Sequence, residues 1–307
     1  MVGGHPEPQD TDGLCAFEKC CGRRNSTVRL IDARMPELAH CLTLFQHVQA
    51  VTGGPVARID QAGSYGVPSL RGEAFTVQPG SIALRIDGDG LVAAAVVRDE
   101  GTGTVTLDLF DAEGRTVHRG RLLSEADRLL VGLARPAGVG TTVTAPPTTP
   151  RVPAWEDGDQ LAQLDAVLMD GGAARRAAFD RYRGEHRAID VAVVPAVLEH
   201  VCSAGLPIGV AVFAPAAMQA CSGRVHVTEQ TIGGQVFAAV AESSVEIELG
   251  AVRAGHLVRS TAAHGPTSAI ELDDEEGRCV AVLTQFGIVG EQVHAAWEDL
   301  AESLPDA

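Results

Sequence analysis

The stretch "LFDAEGRTV" (Leu109–Val117) decides the fold, because the chain repeats it as "LDDEEGRCV" (Leu272–Val280). At a constant shift of 163 residues Thr104 falls on Thr267, Leu109 on Leu272 and Asp111 on Asp274. Glu113, Gly114 and Arg115 then fall on Glu276, Gly277 and Arg278, and Val117 on Val280. Extended upstream without a gap, the alignment lays Ser81 on Ser244. A duplicated unit of this length implies two similar modules, and such pairs often hold a ligand between them.

Working outward, "TVTLDLFD" alternates Val105, Leu107 and Leu109 with Thr104, Thr106 and Asp108, as a half-buried strand does. "AEG" is a turn, chosen for backbone geometry, and "RTVHRGRLL" pairs back on it. "SIALRID" and "GLVAAAVVRD" are two further strands, and "SEADRLLVGLA" opens a helix capped by Ser124. Upstream, Leu38, Leu42, Phe45 and Val48 lie at helical spacing, which predicts a helix over 35–51 that ends at "TGG". The second copy opens with three helical stretches, "DQLAQLDAVLMDGG", "AARRAAFDRYRGEH" and "VAVVPAVLEHVCSAG". Strands "LPIGVAVFAP", "SSVEIELG", "AGHLVRST" and "TSAIELDDEEGRCVAVLTQF" follow, then the helix "EQVHAAWEDLAESLP". The expected fold class is α+β: two tandem repeats, each a large antiparallel sheet flanked by helices. The expected organisation is a tail over 1–28, a first repeat over 29–135, a Gly/Pro/Thr-rich linker over 136–153 and a second repeat over 154–307.

Composition narrows the function. A net charge of −16 with only 24 Lys and Arg argues against nucleic acid, and 4% aromatics leaves no base-stacking platform. No apolar run is long enough for membrane insertion, and the first residues carry no secretory signal, so a cytoplasmic protein is expected. Seven cysteines are an odd number and widely scattered, unlike a disulfide framework. Cys15, Cys20 and Cys21, with His5 nearby, are either reduced thiols in a tail or a metal site, although the spacing lacks a CxxC pair.

From about Met35 to its end the chain resembles the haemin-degrading factor family, the HemS/HmuS-type haem-handling proteins. The resemblance is carried by "DLFDAEGRTVHRGRLLSEAD" (Asp108–Asp127), "SAGLPIGVAVFAPAAMQACSGRV" (Ser203–Val225), "SAIELDDEEGR" (Ser268–Arg278) and "AAWEDLAESLP" (Ala295–Pro305), in the family's order. It implies two tandem α+β repeats with haem in a cleft between them. It further implies a role in haem-iron uptake, taking haem from an importer and passing it to a haem oxygenase.

The resemblance also assigns a pocket. Haem iron needs an axial donor, and its propionates need cations such as Arg. The family's propionate-binding Arg falls on Arg175 and a first-half Arg on Arg85, while the axial His falls on Ala162. No His lies between Val152 and Arg181. A family Lys falls on Ser260, a late basic pair on Gly287–Gly290, and a His on Cys221. His186 and His200 are the candidates to replace the lost donor, although a lone His near a helix end is more often a solvated or capping residue. Two functions therefore stand: a cytoplasmic haem-binding and haem-transfer protein without the family's axial His, or a non-catalytic scaffold or interaction module that has lost haem binding.

Overall fold

A computed structural model describes residues 26–34, 37–78, 80–134, 136, 159–170, 186–231 and 233–307. The expected helix over 173–186 except His186, which opens a strand, almost all of the tail and all but Pro136 of the linker lie outside them, as do Arg175 and the Cys15/Cys20/Cys21 group.

The first repeat holds strands β1 (Ser26–Ile31), β2 (Val48–Gly53), β3 (Ala57–Tyr65), β4 (Ser69–Leu70), β5 (Ser81–Ile86), β6 (Leu91–Asp99), β7 (Val105–Asp111) and β8 (Thr116–Leu122). Its helices are α1 (Glu37–Thr43) and α2 (Glu125–Leu130). The second holds α3 (Gln160–Asp170), β9 (His186–Ile189), α4 (Val194–Ser203), β10 (Pro207–Ala214), β11 (Ala217–Gln230) and β12 (Gln235–Val240). It continues with β13 (Ser243–Glu248), β14 (Ala254–Ala262), β15 (Gly265–Asp273), β16 (Cys279–Thr284) and α5 (Glu291–Glu302). The main strand path runs β1-β6-β7-β8-β2-β3 and then β13-β12-β11-β10-β16-β15-β14-β9. The two repeats thus join edge to edge in one sheet that is antiparallel along this path, with the same strand order read from opposite ends, while β5 pairs parallel with β3 and β4.

The repeated hairpins match pair for pair. Leu107 opposite Gly120 becomes Ile270 opposite Leu283, and both hairpins carry a register shift at the same place, Leu109/Phe110 and Leu272/Asp273. Each repeat also lends a strand to the other: β13 pairs with β3 and β5 with β11. Here the gapless alignment slips. Ile247 faces Ala57, which the constant shift would turn into Leu84 facing Ala220, but Ala220 faces Ala83.

Two expectations near the N-terminus are corrected. The helix expected over 35–51 is only α1, and Val48–Gly53 is a strand whose burial alternates at every second residue. Leu38, Leu42, Phe45 and Val48 are all buried in one cluster, so the helical spacing was a burial pattern shared by a short helix, a turn and a strand. The first strand begins at Ser26, inside the expected tail, and pairs with β6.

The helices cover both faces of the second sheet. Successive residues of a strand face opposite sides. Val210 and Val212 pack with α4 and α5, whereas Ala211 and Phe213 pack with α3. In α2, the Ser124 side chain accepts from Asp127 N, as a helix N-cap should. Ser124→Ala is expected to lower stability by about 1 kcal/mol, read as a fall in the urea midpoint at unchanged slope.

Candidate functional site

Helix α3 carries Ala162, where the resemblance places the axial donor, and its face is the natural place to look for a haem site. Arg85 lies on this face: it pairs across the sheet with Met218, which packs against α3. The guanidinium is fully buried. Its Nε and Nη2 donate to Asp165 Oδ1 and Oδ2 at 2.6 and 2.9 Å. Nη1 donates to Ser69 Oγ at 2.8 Å, and Nη1 and Nη2 each donate to the Glu73 carbonyl at 3.1 Å. Arginine has five N–H donors, so all are taken. Helix α3 is further tied down by Gln163 donating to Glu271 at 2.5 Å and by Gln160 donating to Thr284 Oγ1 and the Gln285 carbonyl.

His186 also belongs to this face, since it pairs with Val258, which pairs with Ala269 of the α3-side cluster. His200 does not. It sits exposed in the last turn of α4, on the opposite face of the sheet. His256, missed in the sequence, shares the side of His186 and lies 3.5 Å from Asp273. The alternation of His256, Val258 and Ser260 in "AGHLVRST" was the available signal. Among the described residues Ser260 Oγ is buried without a hydrogen-bond partner. Cys221 packs in the α4-side core, and burial pushes its thiol up to about 12, so it is an inert core residue.

For a haem held at Ala162 the described residues do not fit. A methyl group donates nothing to iron, and Arg85 has no N–H left for a propionate. A different cavity lies at the other end of α3. It has a volume of about 730 Å³, within the usual range for a small-molecule site. Both copies of the repeated turn line it, as Asp111, Glu113 and Arg115 and as Asp274, Glu276 and Arg278. Its apolar floor includes Val56, Leu168, Met169 and Phe213.

The turns are built alike. Gly114 and Gly277 take φ of 71° and 77°, open to glycine without strain. Asp111 accepts from Arg115 N at 2.8 Å and from its Nε at 2.7 Å. Asp274 accepts from Arg278 N and Nε at 2.8 and 3.0 Å. Each Arg is thus held along one edge by its own turn. The rim also carries Glu275 and Asp87, whose carboxyl is pushed up by burial. Among the described residues, carboxylates outnumber guanidiniums around this cleft.

A buried polar chain joins the repeats. Gln61 Nε2 donates to the Ser81 carbonyl at 2.9 Å, and a carbonyl can only accept. Each earlier bond then has one direction. Gln219 Nε2 donates to Gln61 Oε1 (3.5 Å) and Thr52 Oγ1 to Gln219 Oε1 (2.9 Å). His118 Nδ1–H donates to Thr52 and Tyr65 O–H to His118 Nε2, both at 2.7 Å. Burial pushes His118 down to about 3 and pushes Tyr65 above its ordinary range, so both stay neutral.

No family model and no curated protein matches the chain. Among the described residues no helix is long and apolar enough to cross a membrane. Solved structures do match over more than nine tenths of the chain. The heme degrading enzyme ChuS of Escherichia coli O157:H7 superposes with a TM-score of 0.77 at 17% identity, covering 95% of this chain and 91% of its own. The heme-binding protein PhuS of Pseudomonas aeruginosa gives 0.67 at 19% identity, covering 91% and 87%. At these identities the likeness is one of architecture, and the chain has the two-repeat α+β fold of the ChuS- and PhuS-type proteins.

Proposed function

We propose that this protein handles haem, as a cytoplasmic carrier in haem-iron uptake that takes haem from an importer and yields it to a haem oxygenase. The observation that carries this reading is the match, over more than nine tenths of the chain, to two haem proteins. The ligand's apolar body fits the 730 Å³ cleft between the repeated turns. The acid-rich rim repels carboxylates, so propionates in this cleft point outward to solvent. Arg175 is a candidate to meet them, whereas His186 lies on the α3 face outside the cleft lining and serves as donor only for a haem held on that face. Without the family's axial His, transfer suits the chain better than oxygen activation, which needs a defined proximal ligand.

The test is a haemin titration followed at the Soret band. Wild type is expected to give a saturable shift at micromolar protein. Ala112→Trp, which fills the cleft from an exposed position on its lining, is expected to weaken it about tenfold, the effect of about 1.4 kcal/mol. Arg175→Ala is expected to weaken or shift the band, and His186→Ala and His200→Ala to leave it unchanged; a shift lost in His186→Ala would instead place the haem on the α3 face. No saturable shift in wild type would sink the haem reading. It would leave the second one, a scaffold or interaction module that has lost haem binding, which the fully engaged Arg85 favours.

A further inference from the structure

The Arg85 guanidinium is oriented before any acid reaches it. Ser69 Oγ and the Glu73 carbonyl hold it from the first repeat, and the Phe75 ring lies 5.6 Å from its central carbon. What remains is a fixed edge, Nε and Nη2, with the Gly72 backbone N–H beside it. Asp165 fills that edge: its Oδ1 takes Nε, and its Oδ2 takes both Nη2 and Gly72 N, the last at 2.9 Å. Three N–H groups converging on one carboxylate form a complete acid-binding site. The guanidinium is fully buried, but the Asp165 side chain is 14% exposed, so the occupant is the part that solvent can reach.

We propose that this is a carboxylate-binding site occupied by the protein's own Asp165, which makes Asp165 a built-in competitor that decides whether acidic ligands can bind at Arg85. A ligand carboxylate, from a free monocarboxylate or from an acidic arm of a larger ligand, binds there only by displacing Asp165. Asp165 is then a specificity residue for whatever the α3 face accepts. This holds whether or not the protein carries haem.

The experiment is chemical rescue in the full chain. Asp165→Ala leaves a buried guanidinium without its acid, so its melting temperature is expected to fall. Millimolar propionate should restore most of that loss, while equal concentrations of chloride or methylammonium should not. By NMR, the Gly72 amide and the Arg85 Nε–H should shift saturably with propionate in the variant, at a midpoint at least about tenfold below any wild-type response. Should Asp165→Ala fail to fold even with propionate present, Asp165→Asn keeps the volume without the charge, and the same shifts are expected. Equal propionate responses in wild type and variant would overturn the proposal. Haemin separates the two readings. Propionate rescue without haemin binding keeps the carboxylate site and removes the haem function. Haemin binding by a variant that shows no response to propionate overturns the carboxylate site alone and keeps the haem function, because haem held in the cleft does not use Arg85.

Discussion

Replacing Arg85 by methionine is expected to lower the unfolding free energy by about 3–5 kcal/mol, the usual cost of removing one partner of a buried ion pair. The loss has two sources. Asp165 loses two of the three N–H partners it has among the described residues, and Ser69 and the Glu73 carbonyl lose their donor. An acceptor left unsatisfied in a buried place is itself worth about 1–3 kcal/mol. The double variant Arg85→Met/Asp165→Leu removes both charges and is expected to recover most of the stability, as apolar replacement of buried pairs often does. Urea melts of the two single variants and the double give the coupling directly. A double variant as unstable as the sum of the singles would mean that the pair does not act as a unit.

The second large effect is on acid stability, through His118. Its folded value is pushed down to about 3 from an ordinary 6.5, by burial. Unfolded chains therefore take up a proton that the folded protein refuses, so stability is full above 6.5 and is lost as the pH falls through this window. The slope is about 1.4 kcal/mol per pH unit, and about 4–5 kcal/mol would be lost by pH 3. Other titrating groups add to the measured curve, so the test is a difference. His118→Asn keeps a donor for Thr52 and drops the acceptor for Tyr65. It is expected to be less stable than wild type at pH 7, with a stability–pH slope shallower by one proton between pH 6 and about 4. Parallel curves for the two proteins would show that His118 does not titrate differently on folding.

Much of the fold was legible because its signals are local. The strand in "TVTLDLFD", the Asp-x-x-Gly-Arg turn and the Ser124 cap are each settled by a few neighbouring residues, and the structure has them in place, although the strand expected to be half-buried is covered on both faces, Asp108 included. The region from Met35 to Val51 misled because its apolar spacing fits a helix, whereas the residues are buried by three different local structures. The slip at β5 and β13 was invisible for a related reason: the matched residues all lie downstream, in the hairpin.

The candidate site was far less legible. Arg85 was named as a ligand contact, but nothing near it in the chain announces that Asp165, eighty residues away, supplies its acid. His118 sits in "RTVHRGRLL" like any strand residue. Only its burial against Tyr65, Thr52 and Gln219 makes it a neutral link between the repeats. The repeated turns could be read as turns, but that both line one cavity follows from how the repeats meet.

By itself, then, the sequence determined the duplication, the α+β class and the hairpins at its centre, because hydrophobic period and turn chemistry act over short stretches. The tertiary structure alone decided which charges are spent inside the protein and where space is left for a ligand. Both depend on groups remote in the chain meeting out of water, where a polar group must find a partner or carry its full desolvation cost.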